Sequence, residues 1–547
     1  MKRVTALALA TAIVTSAGMD ARAGSPRDLK VPGSSARAGA PRDLKVPGSN
    51  ARTLSNWSPA FSSWSPGPLG PGDELRAAPD LRADIDAIFN DPAISRAMIA
   101  ARIDSLKTGE TLYSRNADKL VMPASNMKIV TMTIAAEKLG WNFTYETKLE
   151  AVGTITDGVL NGDLIVTGGG DPTIVTNDGG PAPLMAEWAA AVKAAGIKRV
   201  NGRIIGDDSY FDDDTLGMGW SWDDTVFGYS APIGGLSYNE NQVVARVTAG
   251  DTAGAPAKVE LSPAQGHGLR VVNRVTTQAR PASAAADARL RGSVSFDRLF
   301  GQPTLVVTGT MPVGAVPVVQ TVAIDNPTLF FVEALRAGLE EHGIMVRDGV
   351  ADLDDLPAGA AGTRRPIAKR VSPPLSVIGP YFMKESQNYI AETLFKTLGR
   401  VLKGDGSAAA GRAAVKETLT AWGIPDDGLV MRDGSGLSRY DYVTSDLLVA
   451  LLTRMWKNDT LRGPFAASLP VAAHDGTLSG RMKNTWLDGH VQAKTGTISN
   501  VRSLSGYLET KSGERIVFSI IGNHFTVPSS AIDALAERAL MWVADHR

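Results

Sequence analysis

The chain contains no cysteine. That absence excludes disulfide staples, thiolate metal centres and lipid attachment through a cysteine, so a protein of 547 residues must hold together by packing alone. Histidine is scarce, six in all, with no HExxH or similarly close spacing, which argues against a zinc peptidase. No GxSxG occurs, so the nucleophile elbow of an α/β-hydrolase is missing. Beyond the N-terminus no segment reaches the roughly 18 consecutive apolar residues a membrane-spanning helix requires. Charge of one sign is lacking too: the net charge is -1, which gives no footprint for nucleic acid. What remains is ordinary globular composition, 44% hydrophobic and 21% charged. At roughly 150 residues per domain, the length predicts about three domains.

At the start, Lys2 and Arg3 precede an apolar run from Val4 to about Val14, and small residues then end in Ala21-Arg22-Ala23. This predicts a secretory signal peptide over 1–23, and with it a periplasmic or extracellular protein. A membrane anchor fits less well, because the run is too short and Asp20 follows closely. The stretch ARAGSPRDLKVPGSS from Ala21 recurs as ARAGAPRDLKVPGSN from Ala36, offering a second small-x-small site at Ala36-Arg37-Ala38. Residues 24–75, rich in Pro, Ser and Gly, read as an extended leader.

Order is expected from about 76. A helix around Leu81 to Phe89 precedes two strand-like runs, AMIAARID and TLYSRN. Between them lies Lys107-Thr108-Gly109, the first of two Lys-Thr-Gly triplets, which reads as a hairpin turn. MPASNMKIVTMTIAAEKLG opens with Pro123 and closes with Gly140, helix punctuation that places Ser125 in the first turn. From 151 to 360 the pattern becomes strands, glycines and acidic turns. We read this block as an insertion, with a further domain nested at about 245–320, dividing a body made of 76–150 and 361–547. The C-terminal AIDALAERALMWVADHR is amphipathic at helical period and predicts a packed helix.

The two halves of the body carry complementary chemistry. Lys128 has a serine three positions earlier, so Ser125 and Lys128 share a helix face, and a neutral lysine there can take the serine's proton. An isolated pair of this kind is more often a helix cap beside a solvated lysine. Here it is followed by Ser386-Gln387-Asn388 before a helical pattern, and by the second Lys-Thr-Gly at 494–496 among strand-like runs. On such a strand Lys494 and Gly496 share a face, and a cation with a hydroxyl on an edge strand suits a peptide's terminal carboxylate. Ser237-Tyr238-Asn239 also fits Ser-x-Asn but lies within the insertion and lacks a following helix.

Ser-x-x-Lys, Ser-x-Asn and Lys-Thr-Gly in this order resemble the serine penicillin-recognising enzymes. The gap from Ser125 to Ser386 is too long for compact β-lactamases. Together with PASNMK, TGGGDPT, LSYNEN, DGSGLSR and KTGT, it resembles the class C low-molecular-mass penicillin-binding proteins, the D-alanyl-D-alanine carboxypeptidase/endopeptidases. The resemblance covers about Leu81 to the C-terminus. It implies an α+β fold, an antiparallel sheet flanked by helices and split by a β-rich insertion forming two further domains.

It also implies roles. Ser125 would be acylated with Lys128 as base, Ser386 would relay a proton to the leaving amine, and Asn388 would position the substrate amide. Lys494 would supply positive field that keeps Lys128 neutral, and Thr495 would bind the terminal carboxylate. The N–H groups of Ser125 and Thr497 would form an oxyanion hole, worth on the order of 3 kcal/mol per donor. Asp171 and Arg439 match family positions for the amino and carboxylate ends of a diaminopimelate-type stem peptide, with a turn acid and a surface arginine as the plain alternatives. His474 is as open to a structural role as to a functional one.

The expected partners are peptidoglycan stem peptides and, as covalent inhibitors, β-lactams; no cofactor is called for, and a homodimer is left open. The absence of ExxLN predicts that a penicilloyl adduct persists. The rival readings are a serine β-lactamase-like hydrolase and a non-catalytic muropeptide-binding or sensor protein.

Overall fold

The computed structural model describes residues 80–176, 182–285, 288–357 and 362–547; the expected signal peptide and the whole of the leader lie outside them. Five antiparallel strands from opposite ends of the chain form one sheet, in the order Val491–Ile498, Val501–Glu509, Arg515–Asn523, Met98–Ser105, Thr111–Arg115. The join between the two halves is Met98–Ser105 against Arg515–Asn523, paired from Met98↔Asn523 to Ser105↔Ile516.

Strand alternation divides the sheet's two faces. Val517 and Ile521 belong to a core shared with the helices Met127–Lys138, Asn388–Lys403 and Ser445–Lys457. Ile516, Phe518 and Ile520 belong to a core under Leu81–Phe89 and the C-terminal helix Ser529–His546. That last helix buries Ile532, Leu535, Leu540 and Val543, each contributing about 1.5–3 kcal/mol if fully withdrawn from water. The first Lys-Thr-Gly lies in the turn between Met98–Ser105 and Thr111–Arg115, where Gly109 takes φ 76°.

The middle of the chain builds its own sheet. Glu146–Thr156 pairs antiparallel with Arg365–Val371, from Glu146↔Val371 onward, so the seam with the body falls near 145 and 372 rather than at 150 and 361. Two helices, Pro183–Ala194 and Pro327–Glu341, pack on this sheet, each with proline in its first turn, where no backbone donor is needed. Within the block, Gln242–Thr248 pairs with Val318–Ala323 in one three-stranded sheet, and the chain between them supplies a second. The two parts of the insertion share one apolar core, in which Val243, Val247 and Val307 join Trp188, Phe331 and Leu335. Burial is thus continuous between them.

Candidate active site

Ser125 sits in a single 3-10 turn, Ala124–Asn126, just ahead of the helix Met127–Lys138 and not in its first α-turn. Side chains from the sheet hold this turn. Asn523 accepts from the Met122 N–H (2.8 Å) and donates to its carbonyl (3.0 Å), Ser503 Oγ donates to Pro123 O (2.7 Å), and buried Asn126 donates to Ser505 Oγ (2.6 Å). Ser125 is therefore registered against the sheet that carries the third motif. Gly496 allows the approach: a Cβ there would lie 2.7 Å from Pro123 O and 3.0 Å from Ser125 N.

Lys128 Nζ donates to Ser125 Oγ (2.9 Å), Asn388 Oδ1 (2.6 Å) and the Ser435 carbonyl (2.8 Å). The residue is 0% exposed. Burial pushes its pKa down to about 7, against the upward pull of the carboxylates of Asp433, Glu392 and Asp441. Burial and the charge of Asp433 in turn raise Glu392 to about 8 and Asp441 well above the usual carboxylate range.

Ser386 lies between the helices Leu375–Lys384 and Asn388–Lys403 and is left-handed at φ 60°, a strained conformation for a non-glycine residue. Its Oγ accepts from Lys494 Nζ (2.8 Å), which also donates to the Thr495 carbonyl (2.9 Å). Lys494 is likewise 0% exposed, and burial, reinforced by the charge of Lys128, holds its pKa well below the normal lysine range. Each of these two buried amines, when charged, disfavours a proton on the other.

The strand Val491–Ile498 is the sheet's edge. Ala493 N donates outward to Pro470 O (3.0 Å), and Val491 O accepts from Ala472 N (2.9 Å). Strand alternation then turns the N–H and C=O of Thr495 and Thr497 to the same free edge, beside Ser125.

The insertion completes the crevice, a cavity of about 280 Å3 lined by Ser125, Ser386, Asn388, Thr497, Arg439 and Asp224, among others. Asn388 Nδ2 donates to the Tyr229 carbonyl (2.8 Å), and Tyr229 OH donates to Asp224 Oδ1 (2.6 Å). Trp220 Nε1 donates to Asp433 Oδ2 (2.8 Å), the carboxylate that also gathers the N–H groups of Ser435, Gly436 and Ser438. A larger groove of about 810 Å3 around Arg102, Trp422 and Asp446 contains none of the motif residues.

The three motifs thus converge, and Thr495, Gly496, Thr497 and Arg439 belong to the same region. Asp171 does not line the crevice. Its carboxylate is fully buried, accepts from Arg370 (3.0 Å) and caps Thr173 N (2.8 Å), so it is committed to the insertion's own structure. Asp224 lines the crevice instead. Sequence reading passed over Asp224 because WSWDDTVFGY carries acids with no fixed spacing to a motif. Glu392 was also missed, although it lies four residues after Asn388, on the same helix face. His474 pairs with Asp488 (3.1 Å) and is not among the crevice residues. The Ser237 hydroxyl donates to Gly234 O (3.2 Å) inside the insertion. Three carboxylates, Asp208, Asp213 and Asp354, approach closely enough to hold a cation; none lines the crevice.

Comparison with known proteins fits this geometry. The chain is 36% identical over 471 residues to a D-alanyl-D-alanine carboxypeptidase from Actinomadura sp. (strain R39), covering 84% of each. Its fold matches the crystal structure of penicillin binding protein 4 (dacB) from Haemophilus influenzae with a TM-score of 0.73 and 25% identity, over 84% of this chain and 98% of that one. The same protein complexed with a novel β-lactam matches with a TM-score of 0.67 and 24% identity, again over 84% and 98%. A family model matches residues 81–541, from the helix that opens the body to the helix that closes it, and with all three motifs inside that span the chain belongs to the D-Ala-D-Ala carboxypeptidase 3 (S13) family.

Proposed function

We infer that this serine-type D-alanyl-D-alanine carboxypeptidase works through an acyl-enzyme on Ser125, and that it also cleaves D-alanyl cross-links. The reading is carried by one observation: Lys128 Nζ lies 2.9 Å from Ser125 Oγ with its pKa lowered to about 7 by burial. A neutral amine at that distance takes the hydroxyl proton as Oγ attacks the penultimate D-alanine carbonyl. The oxyanion is received by the N–H groups of Ser125 and Thr497. As the C–N bond breaks, the leaving amine gains a proton through Ser386, which Lys494 touches. Water then takes the amine's place and releases the acyl group.

Two features support the substrate side. The free edge at Thr495 and Thr497 accepts an extended peptide as an added strand, and the Thr495 hydroxyl with Lys494 suits its terminal carboxylate. Across the crevice, Asp224 and Arg439 present an acid and a base, which suit a stem-peptide side chain ending in both an amine and a carboxylate; this moves the amine contact from Asp171 to Asp224. Among the described residues no helix is long and apolar enough to cross a membrane. Export by the N-terminal signal would bring the enzyme to peptidoglycan.

Labelling with fluorescent penicillin tests the nucleophile. The parent is expected to carry a persistent adduct, and Ser125→Ala none; a labelled alanine variant rejects Ser125. Release of D-alanine from a pentapeptide separates enzyme from binder, and rapid turnover of benzylpenicillin would favour a β-lactamase.

A further inference from the structure

One loop outside the motifs reaches the third of them. Pro470–Ala472 runs along the outer edge of Val491–Ile498 only as far as Ala493. Ala473, at φ 65°, then turns the chain, and the 3-10 turn Gly476–Leu478 brings it back. There Thr495 Oγ1 donates to Thr477 Oγ1 at 2.7 Å. The turn is fixed from both sides. Asp475 accepts from Val471 N (2.9 Å) and pairs with Lys384, the last residue of the helix leading to Ser386. Gly476 packs so closely on that helix end that a Cβ would lie 2.6 Å from Lys384 O. Thr477 is thereby held in register with both the second and the third motif.

We propose that Thr477 is a positioning residue that orients the Thr495 hydroxyl toward the carboxylate of the leaving group, making the enzyme selective for amines that carry a free carboxylate. The proposal rests on Thr495 being the carboxylate seat. A hydroxyl has one proton and two lone pairs, whereas a carboxylate only accepts. When an acid-terminated peptide arrives, Thr495 must turn its proton away from Thr477 and toward the ligand. Its oxygen is then free to accept from Thr477, whose hydroxyl has no other hydrogen-bond partner among the described residues. The pair reverses direction, and the second hydroxyl strengthens the first as a donor.

A carboxamide end does not force this reversal. Its NH2 group donates to Thr495, which keeps its proton on Thr477. The pair therefore discriminates by the acceptor-only character of the ligand. For cross-links the consequence is that cleavage requires a free carboxylate on the carbon bearing the scissile amine.

The test compares kcat/KM on a peptide ending in D-Ala-D-Ala with its C-terminal carboxamide, in the parent, Thr477→Val and Thr477→Ser. Valine is expected to narrow the parent's preference for the acid by about tenfold, through loss on the acid alone, and serine to restore it. An equal loss on both peptides reduces Thr477 to a loop-structural residue, and an unchanged ratio removes it altogether; either overturns the proposal. A parent that does not prefer the acid at all would instead overturn Thr495 as the carboxylate seat, and Thr477 with it.

Discussion

Lys128 and Lys494 are both fully buried and both touch a serine hydroxyl, yet their surroundings are opposite in charge. On the helix side, Lys128 sits above the acids Asp433, Glu392 and Asp441, with the pull of Asp433 the largest against the cost of burying its charge, which leaves it at about 7. On the strand side, burial holds Lys494 well below the normal lysine range, and the charge of Lys128 pushes it the same way. The difference teaches a division of labour. Lys128 is poised to gain and lose a proton at neutral pH. Among the described residues no carboxylate pairs with Lys494, and in the proposed mechanism a substrate carboxylate supplies the anion. Its arrival raises the pKa of Lys494, and the resulting charge disfavours a second proton on Lys128. In the proposed mechanism the substrate thereby sharpens the base that activates Ser125.

The strongest way to break the comparison is to remove each amine in turn. Lys128→Met is expected to lower the rate of acylation by at least about 10^3 on every substrate, since it deletes the base itself. Stopped-flow acylation by a penicillin measures this, and a loss below tenfold would transfer the base role elsewhere. Lys494→Met is expected to cost about 10^2, concentrated on ligands bearing a carboxylate. Equal losses on acid and carboxamide peptides would mean that Lys494 acts through Ser386 alone.

A milder probe leaves both lysines in place. With Lys128 at about 7, kcat/KM should fall about tenfold per pH unit on the acid side of that value, because only the neutral amine accepts the serine proton. A flat profile down to pH 5 would show that the group limiting acylation is not Lys128.

Much of the site was legible because its chemistry lies in short motifs at fixed spacing. Ser125, Lys128, Ser386, Asn388 and Lys494 were grouped because the order of their motifs resembles the serine penicillin-recognising enzymes, and Gly109 needed only its place between two strands to be set aside as a turn. The body's α+β character was implied by the family resemblance, with the strand-like runs AMIAARID and TLYSRN and the helical period of the C-terminus agreeing with it. What stayed hidden depends on long-range packing. Asp171 and Asp224 are both acids near glycines or aromatics, and only the folded chain reveals that Arg370 claims the first while the second opens on the crevice. The seam near 145 and 372 was displaced in the sequence reading because Glu146–Thr156 and Arg365–Val371 are each other's partners, which no local pattern encodes.

The finest test concerns the acids under Lys128. Glu392 accepts from Gly434 N through both carboxylate oxygens (3.1 and 2.9 Å), a role the amide oxygen of Gln can keep, so Glu392→Gln should preserve the loop. Near pH 7 Glu392, at about 8, still holds its proton and exerts little field, so the acid limb should move by under about half a pH unit, downward as one upward pull on Lys128 is lost. Stability carries the clearer signature. The folded chain keeps this proton up to about pH 8, while the unfolded chain releases it near the ordinary glutamate value of about 4.3. Between those values the unfolded state binds fewer protons, so the stability of the parent falls as pH rises. In urea unfolding at pH 5 and pH 8, the parent should lose more stability than Glu392→Gln. The ionisation of Lys128 is common to both proteins and largely cancels in the difference. Equal losses would mean that Glu392 is already charged in the folded chain, and Lys128 would then owe its position to an ion pair rather than to a buried acid that keeps its proton.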